Sequence, residues 1–414
     1  MCQNTHGRGK TPQELCQMRN KKLVNTILKL FCSYYIKDYL MSMMNYIQIL
    51  VSFLLSLVCG VIFIPIIIRF CKKNGLYDLP NGRKVHKNAI PRLGGLSFMP
   101  SMLLASLIVI GIYNVQSRGQ QIQVSLWSIG FFTSLFIIYT VGIVDDLVGL
   151  GARTKFIAQI LAASIMPMAG LYLNSLYGLF GVYDIPYWVG VPLTVFIIVF
   201  MCNAINLIDG IDGLSGGLSF IALSGFLVCS MREALWLYSI LIAGLMGVLV
   251  AFLYFNIVGK VEKDHKIFMG DSGSLTLGFI LGFLAVKFTA INPHVMCFHP
   301  DSLMLAYSFV VVPVYDVVRV SLVRTYHHVP IFQADKNHIH HKLLRTGMNQ
   351  HQVLGCILLL AIAYIAINII LWPLCDMSTL VLTDIVIWLT FHMCVNHAIR
   401  KNGQLVYLAN SEKK

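Results

Sequence analysis

The stretch YIQILVSFLLSLVCGVIFIPIIIRF, residues 46–70, carries one charge, Arg69, and is long enough to cross a bilayer as a single helix. Comparable runs recur near 95–113, 124–144, 155–173, 187–205, 214–230, 235–255, 273–290, 302–323, 353–372 and 378–397. The sixth and eighth are the least apolar, because they are rich in Gly and Ser. Only 12% of residues are charged and 57% are hydrophobic, at a mean hydropathy of +0.74. A soluble domain carries about twice that share of charge. A soluble core with one anchor is excluded, and the expected fold is an all-α polytopic membrane protein of about eleven transmembrane helices.

The loops assign an orientation. Lys72, Lys73, Arg83, Lys84, Lys87 and Arg92 follow the first run, Arg153 and Lys155 the third, and Lys260, Lys263 and Lys266 the seventh. Arg324, Lys336, Lys342 and Arg345 follow the ninth, whereas the alternate loops hold only Arg118 and Arg232. Basic loops stay in the cytoplasm, so the N-terminus is expected outside and the C-terminus inside, which needs an odd number of crossings. The net charge of +13 then reflects loops facing anionic lipid, and nucleic acid is not expected as a partner. Residues 1–43 break the pattern: Arg8, Lys10, Arg19, Lys21, Lys22, Lys29 and Lys37 would all lie outside. Translation is expected to start at Met41, Met43 or Met44, leaving 1–43 as an extension. Residues 44–400 form the membrane domain and 401–414 a cytoplasmic tail. The eleven cysteines form no CxxC pair or ladder, which argues against a zinc site or a disulfide framework.

Five polar motifs fall on the basic side. VGIVDDLVGLGARTK (141–155) sets Asp145 and Asp146 side by side, near Arg153 and Lys155. Adjacent carboxylates repel unless a cation compensates, so a metal–phosphate or proton-handling pair is favoured over a solvated helix end. In NAINLIDGIDGLSGG (203–217), Asn203, Asn206, Asp209 and Asp212 recur every three residues, which keeps them near one face of a helix. Hard oxygen ligands of this kind suit Mg²⁺, and the glycines allow close backbone approach to a ligand. FMGDSGSLTLG (268–278) offers Asp271 and Ser272 as caps of a helix whose free amides attract anions. DKNHIHHKLLRTG (335–347) sets His338, His340 and His341 among Lys336, Lys342 and Arg345, a pyrophosphate-binding composition with no Cys or HExxH to make it a zinc site. GLYDLPNGRKVHKNAIPRLGG (75–95) brings Lys84, His86 and Arg92 to the surface, where lipid contact competes with phosphate binding. Asp316 and Arg319, inside the ninth run, are expected to pair structurally.

In order and spacing these motifs resemble the polyprenyl-phosphate N-acetylhexosamine-1-phosphate transferase superfamily (glycosyltransferase family 4), specifically its WecA-like and TagO-like branch, related to MraY. The resemblance covers about residues 45–400. It implies an enzyme in the bacterial cytoplasmic (inner) membrane, with its active site in cytoplasmic loops. The phosphate of undecaprenyl phosphate attacks the β-phosphorus of a UDP-N-acetylhexosamine, most simply UDP-GlcNAc, and releases UMP. It implies Mg²⁺, with Mn²⁺ as a substitute, on Asp271 and Asn206, with Asn203 close by. Asp145 and Asp146 act at the acceptor phosphate, by positioning more than as a base. Lys155 contacts phosphate, Asp212 the uridine end, and Asp209 the nucleotide or its loop. His338, His340, His341 and Arg345 line the sugar and pyrophosphate side. Membrane lipids are further partners, and a homodimer is left open. The alternative is a transporter or flippase for a nucleotide or anionic lipid; absent duplicated halves count against it.

Overall fold

A computed structural model describes residues 12–78, 89–116, 125–261, 265–292, 298–330 and 335–408. The chain falls into two compact units, Met1–Val51 and Ser52–Lys414. Helix α1 is Pro12–Lys73, and its apolar part is Met43–Lys73. A two-residue hairpin follows, β1 (Tyr77–Asp78) antiparallel to β2 (Ile90–Pro91). A 3₁₀ turn at Gly94–Ser97 then leads into α2 (Phe98–Gln116), α3 (Leu126–Val148) and α4 (Ala152–Met168). A second hairpin, β3 (Ser175–Leu179) with β4 (Val182–Asp184), precedes α5 (Tyr187–Ile208), α6 (Leu214–Arg232) and α7 (Trp236–Leu253). α7 runs on as a π turn over Tyr254–Val258, and α8 (Gly270–Thr289), α9 (Ser302–Tyr326), α10 (Ile339–Arg345), α11 (Gln350–Leu371) and α12 (Met377–Lys401) complete the unit.

Ten of these helices are long and apolar enough to cross a membrane, so the chain is a mainly helical, multi-pass membrane protein. The expected count was eleven, and the difference is α4. Its 17 residues span about 25 Å at 1.5 Å each, short of the roughly 30 Å hydrocarbon core. Its path is nevertheless that of a full helix. Lys155 in its first turn contacts Asp271 at the start of α8, and Asn174 just beyond it bonds to Ile291, just past the end of α8. Residues 169–174 extend α4 over the remaining distance.

α8 is the central helix, with 94% of its apolar window buried inside the protein. Its Gly and Ser content, which makes it read weakly as a membrane span, is its packing surface. A Cβ on Gly278 would come 2.5 Å from Cys202 Cα of α5, and small residues of this kind let helices approach closely in lipid. On the neighbouring side, Phe131 of α3 packs its ring 4.3 Å from Phe283. Polar side chains join other helices: Asn368 Nδ2 of α11 donates to Asp384 Oδ2 of α12 and to Ser308 Oγ of α9, both at 2.9 Å.

Candidate active site

The start of α8 is where the motifs meet. The glycine pairs of two of them are pressed together: a Cβ on Gly95 would lie 2.1 Å from Gly273 N and 2.2 Å from its Cα. These glycines bring backbone to backbone, not backbone to ligand. Gly94 and Gly95 N–H donate to the carbonyls of Phe268 and Met269, locking RLGG onto FMGDSG. The amides expected to be free for an anion already hold one. Asp271 N and Ser272 N donate to the two carboxylate oxygens of Asp146, at 2.8 and 2.9 Å. Asp271 and Ser272 themselves make no cap.

Asp146 is only 5% exposed, so it joins α3 to α8. Its neighbour Asp145 accepts from Leu150 N at 2.6 Å and from Lys155 Nζ at 3.0 Å. The same ammonium donates to Asp271 Oδ2 at 2.6 Å, while Asn206 Nδ2 donates to Asp271 Oδ1 at 2.8 Å and to Ser274 Oγ.

A cavity of about 460 Å³ opens over this cluster. Six aspartates line it, Asp78, Asp145, Asp146, Asp209, Asp212 and Asp271, together with Arg92, Asn206, Asn256, His341 and Gln350. The three-residue ladder does not continue as one helix face. α5 ends at Ile208, which leaves Asn206 on the helix and carries Asp209 and Asp212 around the turn after it. Asp209 accepts from Ser215 Oγ at 2.5 Å. Burial, with Asp271, Asp212 and Asp146 nearby, pushes its carboxyl up to about 7 against that hydrogen bond. Asp212 pairs with Lys266 Nζ at 2.7 Å, and Lys266 also donates to the Asn256 carbonyl. The Nε of Arg92 is buried without a partner among the described residues.

A profile of glycosyl transferase family 4 matches residues 128–289. A relative from Bacillus subtilis (strain 168) is 33% identical over 356 residues, which make up 83% of this chain and 87% of the relative. The chain belongs to glycosyl transferase family 4. That relative is named "Probable undecaprenyl-phosphate N-acetylglucosaminyl 1-phosphate transferase". Two more are named "Undecaprenyl-phosphate alpha-N-acetylglucosaminyl 1-phosphate transferase". One, from Yersinia pestis, is 30% identical over 72% of this chain and 77% of its own length. The other, from Escherichia coli (strain K12), is 27% identical over 73% and 78%. The span matched by the family 4 profile, α3 to α8, supplies most of the cavity's carboxylates; Asp78, Arg92, His341 and Gln350 come from outside it.

Among the expected site residues of this family 4 chain, Asn203, His338, His340 and Arg345 do not line the first cavity. Asn203 donates to Gln159 Oε1 at 2.6 Å and to the Val199 carbonyl, so it joins α5 to α4. His338 Nδ1 donates to Asp316 Oδ2 at 2.8 Å, and Arg319 Nη2 to Asp316 Oδ1 at 2.9 Å, so the expected Asp316–Arg319 pair also holds the histidine loop. His340 is buried against Gly210, with neither ring nitrogen bonded among the described residues. Arg345 lines a second cavity of about 450 Å³ with Lys336, His341 and Asn402. Of the three histidines only His341 reaches the first cavity. Burial, and the positive charges of Arg345 and Lys336, pull its pKa to about 4, so at neutral pH it is a neutral hydrogen-bonding group. Lys84 and His86 lie outside the described residues. Sequence reasoning missed Lys266, read only as a topological charge, and Asn256, which accepts from Gly213 N at 2.6 Å. A carboxamide at the end of an otherwise apolar α7 was the available signal.

Proposed function

We propose that this family 4 chain transfers N-acetylglucosamine-1-phosphate from UDP-GlcNAc to undecaprenyl phosphate, releasing UMP and starting a lipid-linked cell-envelope glycan. The observation that carries the reading is the convergence of five motifs on one acidic cavity, in a chain whose relatives bear that name over most of their length. An oxygen of the acceptor phosphate attacks the β-phosphorus, and the bond from that phosphorus to the bridging oxygen breaks. The electron pair leaves on UMP. A phosphate monoester is largely dianionic at pH 7, so the acceptor needs positioning more than deprotonation. Lys155, held between Asp145 and Asp271, orients the reacting phosphates, and Arg92 has an open donor for the diphosphate. Asp212 with Lys266 faces the nucleoside end, Asp209 sets its turn, and neutral His341 donates to the sugar side. Asp146 keeps the amides of α8 in place.

The donor set fits a hard divalent cation, Mg²⁺ or Mn²⁺, because it is carboxylate and carboxamide oxygen with no thiol. Asp271 and Asn206 would hold it, the carboxamide turning its oxygen inward. Among the described residues no three His, Cys, Asp or Glu side chains form a metal site by themselves, and Mg²⁺ takes much of its shell from phosphate and water. Held there, such an ion would supply charge neutralisation for the diphosphate and its leaving oxygen.

We place the catalytic end in the cytoplasm of a bacterial inner membrane, with residues 44–400 as the transferase domain. With α4 counted as a traverse, eleven crossings would put the C-terminus on the site's side. UDP-GlcNAc and undecaprenyl phosphate are the substrates, and a homodimer is compatible with this arrangement. The cavity's polar groups gather at the start of α8, whereas a transporter or flippase would need its site at the midplane. Membranes holding the chain are incubated with labelled UDP-GlcNAc, undecaprenyl phosphate and Mg²⁺. Labelled lipid and UMP are expected, both lost on chelation; no product from any UDP-N-acetylhexosamine would contradict the proposal.

A further inference from the structure

Residues 402–408, expected as part of a cytoplasmic tail, are bound to the histidine loop. Asn337 is 2% exposed, and its carboxamide pairs with one backbone unit in both directions. Nδ2 donates to the Leu408 carbonyl and Oδ1 accepts from Leu408 N, each at 3.1 Å. Arg345 Nη2 donates to the Val406 carbonyl at 3.2 Å, and Asn402 Nδ2 to the Thr346 carbonyl at 2.5 Å. The Tyr407 ring lies 3.9 Å from the His327 ring at an angle of 8°. The main chain of Asn337 is engaged as well: its N–H donates to Asp335 Oδ1 at 2.9 Å, and its carbonyl accepts from Arg319 Nη2 at 2.5 Å. Asn337 therefore anchors the loop between α9 and the tail, one residue before His338 and Ile339 dock on Asp316. Four residues beyond Asn337, His341 faces both cavities, and the tail residues Asn402, Gln404 and Leu408 wall the second.

We infer that residues 402–408 belong to the donor-binding machinery, with Asn337 as the positioning residue through which the tail sets the place of His341. This rests on the transferase reading above for its kinetic consequence, though not for its geometry. Only a carboxamide of this length both donates to and accepts from Leu408. Asparagine therefore has a reason to stand here that Asp, which cannot donate when ionised, does not meet.

The full chain, a chain ending at Leu408, a chain ending at Gly403 and Asn337→Asp are compared in the same detergent. The chain ending at Gly403 and Asn337→Asp should raise the KM for UDP-GlcNAc on the order of tenfold, the effect of one or two lost hydrogen bonds. The KM for undecaprenyl phosphate should hold, and the chain ending at Leu408 should behave as the full chain. A synthetic peptide of residues 403–414, added in trans, should restore the donor KM of the shortened chain. Hydrogen exchange over residues 335–345 reads the contact directly and should quicken in both altered chains, even if the full chain released no UMP. Unchanged exchange, an unchanged donor KM, or an equal loss in the chain ending at Leu408 would each overturn the inference.

Discussion

Asp271 sits where Lys155, Asn206 and the start of α8 meet, and its role differs from that of the more conspicuous Asp145–Asp146 pair. Both oxygens of Asp146 are taken by amides of α8, so its replacement should be felt in folding. Asp146→Ala leaves two buried N–H groups unpaired, a loss of about 2–3 kcal/mol, visible as a lower melting temperature. Asp271→Asn keeps the shape and should lower kcat by on the order of 10³-fold, as removal of a preorganised charge contact does, with melting unchanged; full activity would refute its role. His341 gives a pH signature. Its folded pKa of about 4 lies below the unfolded value of about 6.5. The unfolded chain thus binds more protons between those values, and stability declines as pH falls through that window. His341→Gln should flatten this decline in thermal unfolding. Nearly all the cavity's charged side chains were legible from the sequence, because charge at the end of an apolar run is costly and marks function. Which carboxylate joins helices and which faces a ligand was not, since both read as DD until α8 is placed against α3.

At the scale of elements, the helices were legible from apolar runs, and their junctions were not. The Asn203–Asp212 ladder predicts one continuous helix face, but the turn after Ile208 divides it, leaving Asn203 with Gln159 of α4. Asn203→Ala should therefore cost about 1 kcal/mol of stability and leave the donor KM unchanged; a rise in KM would return it to the site. Of the glycines expected to approach a ligand, Gly210 lines the cavity, while Gly213, Gly216 and Gly217 pack on Ile257, Leu253 and Leu358. Gly95→Ala would drive a methyl into the backbone of Gly273, which has no side chain to move aside. The outcome should be loss of folded protein in detergent extracts, while Gly111→Ala, with open space around it, should be silent. The tail contacts had no sequence signal, since a carboxamide paired with backbone looks like any loop asparagine.

For the whole molecule, the alternation of basic and bland loops sets an expected orientation, with the catalytic end in the cytoplasm. A cysteine at Arg153, exposed beside the site, should react with an impermeant maleimide only after cells are permeabilised. One at Tyr183 in β4, 67% exposed at the opposite end, should react in intact cells; the reverse pattern would invert the orientation. The central claim is that a phospho-sugar, not a sugar, moves to the lipid. UDP-GlcNAc labelled at the β-phosphorus tests it most directly. The account predicts that the label enters the lipid product with unlabelled UMP released, and that neither forms with Asp271→Asn. Label recovered in released UDP, with sugar on the lipid, would contradict it.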